Sequence, residues 1–192
     1  RRVVLDGAGK REAGVEVAHH EIGHHQVPAS GGSFPVSGPM FTLLLAGTVM
    51  QYFVSPLKLL LTPDIITAFL CLGIILVRPR MHEALIVGFA GGCLSMLIPG
   101  SILPWANLVS GTAGGYACYY FYELFREGKA APLATTFSAT LVSGFVFVAV
   151  VTAILYGTIL SRFGDFWGFV AVYLPIIIGT AVLNAVIVQV LV

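Results

Sequence analysis

The part of this chain that most resembles a catalytic motif lies near its N-terminus, where His20 and His24 flank Glu21 in the pattern H-E-x-x-H. On a helix this spacing places two imidazoles one turn apart as zinc ligands, with the glutamate as a general base. Such a site needs a rigid helix and a third ligand, yet Pro28 and a Gly/Ser-rich run follow at once, and His82 is the one histidine outside this cluster. We therefore expect no catalytic residue, no metal site and no cofactor, and keep a membrane zinc metalloprotease as an alternative.

A second short string, Gly7-Ala8-Gly9-Lys10, is similar to part of a phosphate-binding loop. Val4 stands where the loop needs its first glycine, and Arg11 stands where it needs Ser or Thr. We therefore expect that the chain does not bind ATP itself.

Polar groups inside the apolar remainder of the chain are candidates for a binding site. Asp64 opens a predicted helix, where a carboxylate is either an ordinary N-terminal cap or a contact to a ligand. Asn107 and Asn184 lie inside apolar segments, and a buried amide needs a polar partner. These three side chains are therefore predicted to line or border a polar cavity.

Aromatic residues and one lysine lie at the same predicted end of the helices. Tyr52 and Trp105 are either boundary residues of a membrane protein or flat faces for a ligand ring. Trp167 is predicted to be a boundary residue alone. Lys58, in the loop before Asp64, offers a cation for a ligand carboxylate.

The composition of the chain is typical of a membrane protein. The 192 residues are 57% hydrophobic and 10% charged, with a mean hydropathy of +0.93, whereas soluble proteins contain about 25% charged residues. A formal net charge of +1 gives no basic surface for nucleic acid. The three cysteines lack C-x-x-C spacing and support neither a disulfide framework nor a zinc ribbon.

The chain divides near Met40. Residues 1–39 hold four of the five histidines and a Gly/Pro/Ser-rich stretch, so we expect a disordered polar tail. Because Met40 is a plausible initiator, this tail is either native or an over-extended gene start. Residues 40–192 accommodate an all-α bundle of six membrane-spanning helices of about 20 residues each. The predicted spans are 40–55, 64–78, 82–98, 104–125, 132–157 and 165–191.

Basic residues fix the expected orientation of this bundle, since they are retained on the cytoplasmic side. Eight of the ten lie in the tail and in the second and fourth loops, and two, Lys58 and Arg162, lie in the opposite loops. Both termini are therefore predicted to be cytoplasmic in a multi-pass protein of the cell membrane. Small residues four apart predict close helix packing, at Gly88 and Gly92, Gly111 and Gly115, Ala149 and Ala153, and Ala181 and Ala185.

Several short segments of the apolar part form a recognisable set: Thr62-Pro63-Asp64-Ile65-Ile66, Arg78-Pro79-Arg80, Pro104-Trp105-Ala106-Asn107, Leu174-Pro175 and Leu183-Asn184. Together they resemble the tryptophan-transporter family of substrate-binding S components of energy-coupling factor (ECF) transporters. The likeness covers residues 40–192 and none of the tail. It implies a six-helix protein that captures a micronutrient from outside and works with a transmembrane coupling subunit and two ATPase subunits.

The leading hypothesis is thus an S component, not an enzyme, that binds a small aromatic or heterocyclic nutrient, with tryptophan favoured. A non-transport membrane subunit that only packs against other helices is the remaining alternative. For an indole with an ammonium and a carboxylate, the external ends supply a flat face, an anion, a cation and orienting amides. Trp105 and Tyr52 are the candidates for the flat face, and Asp64 is the candidate for the anion. Lys58 or the N-terminus of the fourth helix would receive the carboxylate, and Asn107 and Asn184 would orient the ligand.

Overall fold

The computed structural model of the chain describes residues 37–57, 64–99, 101 and 103–192. Within these ranges the chain forms six α-helices, a short 3₁₀ turn (Ser55–Leu57) and no β-strand. The helices are α1 (Ser37–Val54), α2 (Ile65–Val77), α3 (Met81–Met96), α4 (Pro104–Phe125), α5 (Ala131–Phe163) and α6 (Phe166–Leu191). The all-α architecture with six helices is confirmed. The tail up to residue 36 and Lys58 lie outside the described residues.

Two helix boundaries differ from the predicted ones by three residues or more, for local reasons. α1 begins at Ser37, inside the predicted tail, because Pro39 falls in the first turn, where a backbone N–H has no helical partner. α5 continues to Phe163 rather than 157. It does so through a local break at Leu155, whose φ of −109° and ψ of 26° are not helical.

Side chains fix the start of α2, which follows a gap in the described residues. The Gln51 Oε1 atom at the end of α1 accepts a hydrogen bond of 2.7 Å from the Ile65 N–H. The Asp64 carboxylate caps the helix by accepting hydrogen bonds from both the backbone N–H and the hydroxyl of Thr67. Two N-terminal donors of α2 are therefore satisfied by named side chains.

α2 lies at the centre of the bundle and packs against all five other helices. Ten of its 13 residues are buried, and Leu70, Cys71 and Ile74 are at most 2% exposed. Most of its surface is apolar, so α2 is the element around which the others are arranged.

α3 and α4 pack backbone against backbone through four glycines. A Cβ atom on Gly92 would lie 2.6 Å from the carbonyl oxygen of Asn107, and one on Gly115 would lie 2.8 Å from the Cα atom of Gly88. Such close approach requires residues without side chains. The predicted close packing is confirmed for both glycine pairs, Gly88 with Gly92 on α3 and Gly111 with Gly115 on α4.

Of the described helices, α5 and α6 are long and apolar enough to cross a membrane, whereas α1, α2 and α3 are apolar but shorter. This finding agrees weakly with membrane association. It does not test the six-span arrangement, which stays a prediction.

Candidate functional site

A cavity of about 300 Å³ lies between the first residue before α2 and the helices α4, α5 and α6. Hydroxyl, amide and carboxylate groups form its polar lining: Asp64, Asn107, Ser110, Thr140, Ser143 and Thr180. Its apolar lining comprises Phe147, Val148, Tyr173, Ile176 and Ile177, with Gly144. An apolar lining with a few convergent polar groups is the arrangement expected for binding a small molecule.

Asp64 is the charged residue of this lining and also the cap of α2. Its Oδ1 atom lies 3.2 Å from the Thr67 nitrogen and its Oδ2 atom lies 2.5 Å from the Thr67 hydroxyl. Both hydrogen bonds hold the carboxylate in one orientation beside the cavity. In the described part of the chain the ion pair found joins Arg126 to Glu123, so no described cation pairs with Asp64.

Asn107 lies one turn inside α4, where its side chain is anchored to the segment that joins α3 and α4. Its Nδ2 atom donates to the Ser101 hydroxyl at 3.3 Å and to the Ser95 carbonyl oxygen at 3.5 Å. The amide nitrogen therefore already donates hydrogen bonds within the protein. Among the described residues, the amide oxygen accepts none. This oxygen remains available to a ligand donor at the cavity.

Behind the α5 side of the cavity lies Asn184, which is fully buried. Its Nδ2 atom donates to the Thr140 hydroxyl at 3.4 Å, and its Oδ1 atom has no partner among the described residues. The Ser143 hydroxyl, also on this side, donates to the Ser110 carbonyl oxygen at 3.0 Å and ties α5 to α4. Asn184 is therefore connected to the cavity through Thr140 rather than lining it.

Two of the six predicted site residues, Asp64 and Asn107, line the cavity. Asn184 lies behind the lining and donates a hydrogen bond to the lining residue Thr140. Trp105 and Tyr52 do not line this cavity, and their side chains are 67% and 56% exposed. Trp105 and Asn107 are two residues apart on one helix, which separates their directions by about 200°. Lys58 lies outside the described residues.

Ten of the twelve lining residues were not predicted, and five of them carry a hydroxyl group: Ser110, Thr140, Ser143, Tyr173 and Thr180. Thr136, Thr140 and Ser143 follow one another at helical spacing, but α5 carries further hydroxyl residues such as Thr135 and Ser138, so this spacing alone does not mark the cavity.

No family model matches this chain, and neither a curated protein nor a solved structure matches it. The functional interpretation accordingly comes from the cavity and from the residues around it.

The described ranges contain no group of three or more His, Cys, Asp or Glu side chains placed to hold a metal ion. The H-E-x-x-H motif at His20 and His24 lies outside those ranges.

Proposed function

We propose that this chain is a membrane-embedded substrate-binding subunit that captures a small amine with an apolar ring, and that it acts as the S component of an ECF importer. The observation that carries the proposal is the cavity in which Asp64 and Asn107 meet between α2, α4, α5 and α6. It offers one carboxylate, an amide oxygen and several hydroxyls, next to the ring of Phe147. An ammonium group with an adjoining aromatic ring complements this set.

The membrane setting draws support from the outer surface of the bundle. Each of the six helices exposes large apolar side chains, for example Leu45, Leu76, Phe89, Leu124, Ile154 and Val182. Exposed apolar side chains on every described helix complement lipid. We propose the predicted multi-pass arrangement in the cell membrane, with both termini in the cytoplasm.

Tryptophan is the substrate favoured by this proposal. Its ammonium would pair with Asp64 and its indole would lie against the apolar wall, while Lys58 or the N-terminus of α4 receives the carboxylate. Trp105 and Tyr52 remain predicted contacts whose side chains would have to move toward the cavity. A coupling subunit and two ATPase subunits would supply the energy for uptake.

A thermal-shift titration tests capture directly. Purified full-length protein should melt at a higher temperature with tryptophan, or with tryptamine, which lacks the carboxylate, because a ligand of the native state stabilises it by mass action. The double variant His20→Ala/His24→Ala should respond identically, which a metalloprotease site would not predict. Co-expression with an ECF coupling module should yield a complex that takes up tryptophan. Absence of any shift with either compound would contradict the proposal.

Replacing Asn184 with leucine should affect the stability of the empty protein and its affinity for tryptamine differently. Leucine removes a buried oxygen that has no partner among the described residues, but it also removes the hydrogen bond from Nδ2 to the Thr140 hydroxyl, so we expect the free energy of unfolding of the empty protein to change by less than about 1 kcal/mol. Tryptamine binding should weaken, because Thr140 loses the donor that orients its hydroxyl.

Thr135→Val is the matched control, since the Thr135 hydroxyl is equally buried and unpaired among described residues and does not line the cavity. It should raise the melting temperature and leave tryptamine affinity unchanged. An Asn184→Leu protein that binds tryptamine as tightly as the wild type would contradict this assignment.

A further inference from the structure

An apolar groove of about 500 Å³ lies between α5 and α6, next to the candidate site. Aromatic side chains border it, including Phe145, Phe166 and Trp167, and the small residues Ala149 and Ala153 also line it. Ala149 and Ala153 are exposed, so this predicted small-residue pair borders an open groove rather than a helix contact. The groove has the opposite chemistry to the polar lining of the cavity.

The groove and the cavity share part of their walls. Val148 of α5 and Tyr173 and Ile177 of α6 line both spaces. These three side chains therefore lie at the boundary between the cavity, whose lining is partly polar, and the apolar groove. Movement of Val148 and Tyr173 would join the two spaces.

Both helices that carry this wall are irregular near it. Pro175, between Tyr173 and Ile177, has no backbone N–H, so the carbonyl group of Ala171 loses its helical hydrogen bond. α5 departs from helical geometry at Leu155. At the other edge Gly144 permits tight contact, because a Cβ atom there would lie 2.7 Å from the Ile177 Cγ2 atom. The close contact with Gly144 therefore fixes Ile177 in place, whereas the helix near Tyr173 lacks one backbone hydrogen bond.

From this geometry we infer that the site accepts amphiphilic amines: the amino group occupies the cavity at Asp64, and the apolar chain or ring passes between Val148 and Tyr173 into the groove. The inference rests on the proposed function and specifies its substrate class. The shared wall of the two spaces supports one ligand that spans both once Val148 and Tyr173 move apart. A lipid chain alone would leave the polar lining of the cavity without a partner.

Contact quenching of Trp167 fluorescence tests this placement. The probe is ω-bromodecylamine, added to the full-length protein in lipid nanodiscs, because bromine at the end of the chain quenches an indole that it touches. The wild type should show a saturable quenching component that unbrominated decylamine displaces. Trp167→Phe, which leaves Trp105 as the remaining tryptophan of the two in the chain, should lack this component. Bromodecane, which has no amino group, should produce none.

A second pair of variants tests the groove itself. Ala149→Phe fills the groove and should weaken bromodecylamine binding about tenfold, the loss expected when roughly two methylene groups leave an apolar site. Butylamine, whose chain fits within the cavity, should bind both proteins equally. The control Val186→Phe places the same ring on an exposed position of α6 outside the groove and should change neither affinity.

Four outcomes would overturn the inference. Equal quenching by bromodecane and bromodecylamine would show that the groove holds only lipid. Saturable quenching that persists in Trp167→Phe would place the chain elsewhere. If tryptophan and tryptamine raise the melting temperature while the alkylamines do not bind, the groove is excluded and capture by the cavity stands. If none of these compounds binds, the proposed function fails as well.

Discussion

Gly92→Ala is expected to destabilise the protein by about 2 kcal/mol or more, the scale of overpacking in a closely packed interior. The added Cβ atom would lie 2.6 Å from the Asn107 carbonyl oxygen and 2.8 Å from the Leu108 Cα atom. Both are backbone atoms of α4, so no side-chain rotation relieves the overlap and the two helices must separate. The melting temperature should fall by roughly 4–8 °C.

Gly157→Ala provides the matched control, because the same methyl group would have nothing within 4 Å. At this helical position alanine should be neutral or stabilise by up to about 1 kcal/mol, its advantage over glycine in a helix. The two identical substitutions are thus expected to have opposite signs. Equal melting temperatures for the two variants would show that α3 and α4 are not in backbone contact at Gly92.

The same contact links the helix pair to the site, since the oxygen that Gly92 approaches belongs to Asn107. A displaced α4 would move the Asn107 amide relative to Asp64, which lies across the cavity. Gly92→Ala should therefore weaken tryptamine binding as well as lower the melting temperature.

Asp64→Asn is expected to weaken the binding of tryptamine by about ten- to a hundredfold, because a charge-assisted hydrogen bond contributes about 1.5–3 kcal/mol. Asparagine is as good an N-cap as aspartate, so the hydrogen bond to the Thr67 nitrogen should persist and the melting temperature of the empty protein should change little. Isothermal titration of both proteins measures the difference. Asp64→Ala should in addition lower stability by about 1 kcal/mol through loss of the cap.

Asp165→Asn is the control for this experiment. Asp165 caps α6 in the same manner, with its Oδ1 atom 2.6 Å from the Gly168 nitrogen, yet it is exposed and does not line the cavity. Its replacement should leave tryptamine affinity unchanged. If the two variants lose affinity equally, or if neither does, the carboxylate of Asp64 is not the partner of the amine.

The helices of this chain were predictable because their boundaries carry local signals. Pro104 at the first position of α4 and the charged run after Phe125 give the predicted and observed span 104–125. The end of α5 was not predictable to the same precision. The predicted end fell at Gly157, a residue type that commonly ends helices, whereas the helix continues through it and ends at Gly164, whose φ is 79°.

The site was predictable only in part, for a geometric reason. Asp64 and Asn107 stood out as polar residues in apolar sequence, and both border the cavity. Trp105 was predicted from its neighbourhood in sequence, but helical rotation directs it away from Asn107. Ser110, Thr140 and Ser143 resemble ordinary packing residues of membrane helices, and their convergence depends on how α4 and α5 are placed in three dimensions.

The central position of α2 has a consequence for how the protein is made. Its 13 residues extend about 20 Å, less than the roughly 30 Å of a bilayer interior. The helices α4, α5 and α6 that enclose it leave the ribosome after it does. In the proposed membrane setting the lining of the binding cavity is therefore complete only after α6 has been synthesised, because Tyr173, Ile177 and Thr180 belong to that helix.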